Sequence, residues 1–308
     1  MRAITLLLFL ICSTAAAATE YVRTGAAEFN RSDRYITESA TVGDRFRVDV
    51  LLPLGYDPQN TKYPVIYVTD ANYLLSSVAA TYLAQAYAEY PKSIIVGIGW
   101  DVPSITRIRV RDLTPTCDAA YQQQSKLTDS ECGQADKFIS YINNELRPFI
   151  DAQYSTNGDS TLVGYSFGGL FALHVLFNHT DTFDRYVIGS ASMNWDDQFV
   201  FSSEARYAKS HSDLAKVVYL SAGELELDGT LSNAFRLYET LLQRDYPGLR
   251  IKMEFIADET HMTSISSMSM RGLGFVLNTE NKRAGNKSAG NESAGNESAG
   301  KEIADPRN

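Results

Sequence analysis

The sequence predicts an α/β fold, with a mostly parallel central sheet, an antiparallel N-terminal hairpin before it, and helices on both faces. Three observations predict it. Residues 64–69 form an almost unbroken apolar run, as expected for a strand buried on both sides of a sheet. From there strand-like and helix-like segments alternate as far as Leu277, the pattern of a parallel sheet joined by right-handed crossovers. Finally, the short apolar stretch Thr161-Leu162-Val163 runs into Gly164-Tyr165-Ser166-Phe167-Gly168, and Leu170, Leu173, His174 and Phe177 then recur at helical spacing. That last arrangement is Gly-x-Ser-x-Gly in the strand-turn-helix context that lifts a serine into the open.

In chain order, residues 1–18 have the pattern of a secretory signal: Arg2, an apolar stretch over 4–11, and the small residues Ala16, Ala17 and Ala18. The stretch is too short to span a bilayer, and Ile11 before Cys12 argues against a lipid anchor. The protein is therefore expected to be exported, periplasmic or secreted. Residues 34–40 and 45–52 read as a hairpin around Val42-Gly43-Asp44, with Phe46, Val48 and Val50 alternating against Arg45, Arg47 and Asp49. Further strands are expected at 93–98, 161–164, 186–188, 217–220 and 251–256, and helices at 74–90, 135–150, 231–244 and 264–277. The catalytic domain spans 19–278, interrupted at 99–133 by a stretch too long for a simple connection and read as a lid or binding loop.

Residues 279–308 repeat Ala-Gly-Asn-Glu/Lys-Ser without aromatics and read as a disordered tail. Asn286, Asn291 and Asn296 each head an Asn-x-Ser sequon, but inside a short repeat that is one pattern copied. A net charge of −9 over 308 residues gives no basic footprint for nucleic acid. In an oxidising compartment Cys117 and Cys132 are expected to form a disulfide; neither a Cys-x-x-Cys nor a nearby histidine suggests a metal site, and no cofactor is implied.

A serine hydroxyl needs a base to take its proton and a third group to fix that base's tautomer. Four histidines are available. His174 and His179 lie along the helix leaving Ser166 and cannot reach back over its start; core packing and helix-end solvation suit them. His211 sits in a polar stretch before a strand. His261 follows the strand 251–256 at its carboxyl end, where a base facing Ser166 belongs. The acid should follow the preceding strand, where Glu224, Glu226 and Asp228 compete. A turn after Gly223 favours Glu226, with Glu224 second and Asp228 third. The order Ser166, Glu226, His261 is that of an α/β-hydrolase. Oxyanion donors are expected from the Phe167 amide and from Asp70-Ala71-Asn72-Tyr73, through the Asn72 amide.

These residues resemble the putative esterase, or esterase D-like, branch of the α/β-hydrolases, and within it the siderophore (enterobactin-type) esterases. The resemblance runs from about Ser39 to Leu277. It rests on Leu51-Leu52-Pro53-x-Gly-Tyr, Tyr67-Val68-Thr69-Asp70, Arg111-Asp112-Leu113-Thr114-Pro115-Thr116, the Gly-Tyr-Ser-Phe-Gly-Gly-Leu-Phe-Ala-Leu segment, and Ser221-Ala222-Gly223-Glu224-Leu225-Glu226. It implies Ser166 as nucleophile, His261 as base and Glu226 as acid. Trp195 resembles an aromatic that lines the substrate cleft, and in siderophore esterases arginines of the region holding Arg107, Arg109 and Arg111 meet an anionic catecholate; the substrate contacts this implies are Arg107, Arg111 and Trp195. Ala71 and Ser190-Ala191-Ser192 depart from the family's usual glycine and Ser-Pro-Ser. The function expected is an exported serine carboxylic-ester hydrolase for a small aryl, short-chain or siderophore-type ester. The alternatives are an acetyl or feruloyl carbohydrate esterase, and a binding protein that kept the fold and lost the activity.

Overall fold

A computed structural model describes residues 29–85, 90–227 and 229–278. The signal-like segment 1–18, the repeat tail 279–308, residues 86–89 of the helix expected over 74–90, and Asp228 lie outside the described residues. Eight strands form one sheet: β1 (Ser32–Glu38), β2 (Arg45–Leu51), β3 (Tyr63–Val68), β4 (Ile94–Trp100), β5 (Thr156–Tyr165), β6 (Arg185–Gly189), β7 (Val217–Gly223) and β8 (Arg250–Ile256). Their order is β1-β2-β4-β3-β5-β6-β7-β8. β1 and β2 pair antiparallel, β2 runs antiparallel to β4, and every later pairing is parallel. The alternation in β2 does what it predicts: Phe46, Val48 and Val50 are buried, while Arg47 and Arg34 converge on Asp49 at 3.0 and 2.6 Å.

Helices cover both faces. α1 (Ala71–Gln85) packs on one face, where Leu74, Leu75 and Val78 meet Ile66, Val68 and Val163. On the other face lie α2 (Thr106–Leu113), α3 (Ala119–Ser125), the nearly continuous α4 (Ala135–Tyr141) and α5 (Arg147–Gln153), then α6 (Phe167–Asn178), α7 (Trp195–Ser210) and α8 (Thr230–Arg244). α9 (Ser264–Leu277) returns to the first face beside α1, through Met268, Leu273 and Val276. Among the described residues no helix is long and apolar enough to cross a membrane.

Two segments differ from the sequence expectation. The interruption at 99–133 is not bare loop but carries α2, α3 and a 3-10 turn at Asp129–Glu131. Neither helix announces itself: α2 buries only Val110, Asp112 and Leu113, and α3 buries nothing. Local and long-range ties hold them instead. Asp118 caps α3 by accepting from the Tyr121 amide at 2.7 Å, and Cys117 is disulfide-bonded to Cys132, with Cα atoms 5.2 Å apart. The second difference is α7, whose start is masked in sequence because Asp196, Asp197 and Gln198 adopt left-handed φ of 47°, 50° and 62° and break the helical periodicity.

Candidate active site

Ser166 is the hinge between β5 and α6, with φ 58° and ψ −117°. For a non-glycine residue this backbone is costly and persists only where its surroundings hold it. They do so here: the Ser166 amide donates to the Gly189 carbonyl at 3.0 Å, and its carbonyl accepts from Leu170 and Ser192 amides at 2.9 and 3.2 Å. The neighbouring glycines serve close approach. A Cβ on Gly164 would overlap the Gly168 carbonyl, one on Gly168 would lie 2.8 Å from Thr69 Oγ1, and one on Gly169 2.9 Å from Ala191 Cβ.

β7 and β8 deliver the partners. His261, in the turn after β8, places Nδ1 2.8 Å from Glu226 Oε2. The other carboxylate oxygen, Oε1, accepts from the Gly223 amide at 2.8 Å and from the Ser190 hydroxyl. Burial of the Glu226 side chain, only 3% exposed, would push its carboxyl up. Hydrogen bonds from His261, Ser190 and Gly223 outweigh that, and the group sits below the ordinary glutamate range. Glu224 faces away, its Oε2 accepting from the Asp258 amide at 3.1 Å. Of the two described candidates for the acid, the structure brings Glu226 to His261.

Behind this pair stands Tyr165, the residue before Ser166. Its buried hydroxyl lies 2.8 Å from Ser190 Oγ and 2.7 Å from Ser264 Oγ, and it also contacts the His261 carbonyl. Desolvation pushes this phenol up to about 12, so it serves as a neutral hydrogen-bonding group at neutral pH. The sequence marks Ser190 only as part of a departure from the family's Ser-Pro-Ser and assigns neither it nor Tyr165 a role, because their partners are 25 to 99 positions away in the chain.

Ser166 and His261 open together onto a cleft of about 300 Å³, lined also by Asp70, Tyr73, Arg109, Tyr165 and Met262. A larger depression of about 580 Å³ around Lys62, Asn157 and Arg185 contains neither Ser166 nor a histidine. At the start of α1, the Tyr73 and Leu74 amides return to the Asp70 carbonyl at 2.9 and 3.0 Å; the Ala71 and Asn72 amides have no backbone acceptor among the described residues. The Asn72 side chain grips the Trp100 backbone, accepting from its amide at 2.9 Å and donating to its carbonyl at 3.2 Å.

The three arginines of α2 separate, and Arg107 and Arg111, the two expected at the substrate, are not among the residues lining the cleft. Arg107 pairs with Glu131 at 2.8 Å, and Arg111 with Asp112 and Asp44 at 2.7 and 2.8 Å. Arg109 is the one that lines the cleft, its Nε 2.8 and 2.7 Å from the Asp70 carboxylate oxygens and its guanidinium over the rings of Tyr73 and Phe167. Burial pushes the Asp70 carboxyl up, with Arg109 pulling the other way. Trp195 is 6% exposed; its Nε1 donates to the Thr116 carbonyl at 2.9 Å while its ring meets Tyr121 and Phe167. It thus ties α7 to the insertion that carries α2 and α3. His174 and His179 both turn to Asp136, and His211 stacks on Tyr207 with ring centroids 4.1 Å apart.

Residues 39–246 match the family described as "Putative esterase". The ferri-bacillibactin esterase BesA of Bacillus subtilis (strain 168) is 30% identical over 243 residues, which span 72% of this chain and 82% of that protein. A siderophore enterobactin esterase of Emericella nidulans is 28% identical over 199 residues, 59% of this chain and 65% of its own length. Among solved structures, the BES protein from Bacillus cereus superposes with a TM-score of 0.74 at 26% identity, covering 85% of this chain and 100% of that one. The siderophore hydrolase EstA from Aspergillus nidulans gives 0.71 at 25% identity, covering 85% of this chain and 99% of its own.

Proposed function

The chain belongs to this esterase family, with an α/β-hydrolase fold and carboxylic-ester hydrolysis as its chemistry, and we propose that it cleaves siderophore-type esters through an acyl-enzyme on Ser166. The observation that carries this reading is the 2.8 Å contact of His261 Nδ1 with Glu226, made by a histidine that shares one cleft with Ser166. In the proposed reaction, His261 Nε2 takes the Ser166 proton as Oγ attacks the ester carbonyl. Glu226 holds the imidazole tautomer and stabilises the imidazolium that forms. The oxyanion is received by the Phe167 amide at the start of α6 and by the Asp70–Tyr73 turn, where the Ala71 and Asn72 amides have no backbone acceptor among the described residues. His261 then protonates the leaving alkoxide and activates the water that releases the acid.

Substrate class rests on the relatives' siderophore esters and on the cleft itself. Arg109, with the exposed ring of Tyr73 beside it, offers a cation and an aromatic face to an anionic aryl group near the scissile bond. Export is part of the proposal, supported by the Cys117–Cys132 bridge, which suits an oxidising compartment. A panel of aryl, acyl-chain-length, feruloyl and catecholate-trilactone esters tests the reading. The trilactone should have the highest kcat/KM; a feruloyl or acetyl carbohydrate ester ranking above it would overturn the substrate assignment.

A further inference from the structure

Far from Ser166, three potential metal ligands converge where α4 crosses the end of α6. His174 Nε2 lies 2.8 Å and His179 Nε2 2.9 Å from the same oxygen, Oδ1 of Asp136, and all three ligand atoms fall within 4.8 Å of one another. We propose that Asp136, His174 and His179 bind a divalent first-row metal ion, zinc by the character of the set, which clamps α4 to α6. Two imidazoles and one carboxylate are the donors that suit such ions, and three protein ligands leave a further position to water.

The two imidazole nitrogens lie within 4.8 Å of each other. Tetrahedral zinc, with bonds of about 2.0–2.1 Å, holds its ligand atoms roughly 3.3 Å apart. Withdrawal of the Asp136 carboxylate by about half an ångström opens that space, and its side chain, 72% exposed, has solvent to move into. The imidazoles are better fixed. His174 is 7% exposed within α6, with Asn178 against its Nδ1 at 3.2 Å, so Nε2 is the nitrogen it presents to Asp136. His179 follows as the residue capping the same helix, its ring centroid 5.4 Å from that of His174.

Without an ion, Asn178 donates to His174 Nδ1, so His174 carries its proton on Nε2 and donates it to Asp136. Binding through Nε2 leaves the imidazole proton on Nδ1, where the Asn178 amide oxygen, turned inward, accepts its hydrogen bond. Both helices are anchored nearby by core residues, Phe138 and Ile139 on α4 and Leu173 and Val175 on α6, so the ion would bridge two rigid elements. The length of α6 puts the site roughly 15 Å from the nucleophile, which predicts an effect on stability and none on the chemistry at Ser166.

The test is zinc titration of the tag-free chain by calorimetry, with thermal unfolding in parallel. Wild type should bind one ion per chain and unfold at a higher temperature with zinc. Asp136→Asn and His179→Gln should each weaken binding at least tenfold and lose the zinc-dependent shift. Cobalt substitution gives a second readout that does not depend on the variants: intense visible absorption of a four- or five-coordinate ion is expected. No saturable zinc binding, undiminished binding by both variants, or a weak cobalt spectrum like that of the aqueous ion would overturn the proposal.

Discussion

The Tyr165 hydroxyl lies 2.8 Å from Ser190 Oγ, and Ser190 in turn donates to Glu226 Oε1, so the residue beside Ser166 braces Glu226 two strands away. The same hydroxyl contacts the His261 carbonyl, which links Glu226 and His261 to one group. Tyr165→Phe is expected to lower kcat about tenfold with a smaller change in KM, since losing a well-placed hydrogen bond costs roughly 1–2 kcal/mol. Ser190→Ala should act through the same link. Steady-state kinetics of the double variant should therefore show a loss close to that of either single change; fully additive losses would separate the two residues.

Glu226→Gln should reduce kcat roughly a thousandfold or more, because the amide cannot support the charged imidazole, whereas Glu224→Gln should change it by less than about threefold. The reverse ranking would place the acid two residues earlier. A stability effect accompanies it. The folded-state carboxyl is depressed, so its contribution is fully present above the ordinary glutamate value of about 4.3 and is lost as pH falls through the lower folded value. Urea unfolding between about pH 3 and 6 should show a shallower acid-side loss for Glu226→Gln than for wild type.

Arg109→Ala leaves Asp70, which is 3% exposed, without its counter-charge and should destabilise the fold by about 3 kcal/mol in urea unfolding. Asp70→Asn combined with Arg109→Ala should restore much of that loss. In the double variant, KM for a catecholate ester should rise at least tenfold more than KM for p-nitrophenyl acetate. An equal rise for both would detach Arg109 from substrate charge.

Cys117→Ser with Cys132→Ser should cost about 3 kcal/mol, the expectation for a bridge whose ends are 15 residues apart. Thermal unfolding of oxidised and variant protein measures it. The loss should be accompanied by protease cleavage within the insertion, since α3 buries no residue of its own.

How far the site is legible in sequence follows from what each residue depends on. Ser166, Glu226 and His261 are readable because each sits just past a strand end, and strand ends are marked by apolar runs. The arginines show the opposite case. Read as loop, the segment gives no reason to prefer Arg109, and the expectation falls on Arg107 and Arg111; once α2 is a helix, 107 and 111 share one side and 109 points the other way, into the cleft. The polar composition of α2 hides that helix. Tyr165, Ser190 and the Asp136, His174 and His179 cluster depend on contacts between distant elements, and no local pattern carries those.

The central claim is that Ser166 is an activated nucleophile, and labelling with a fluorophosphonate followed by peptide mass spectrometry tests it most directly. One adduct per chain is expected, on Ser166, absent in Ser166→Ala and slowed strongly in His261→Ala. An active, folded wild type that takes up no label, or a label found on another serine and undiminished in Ser166→Ala, would contradict it.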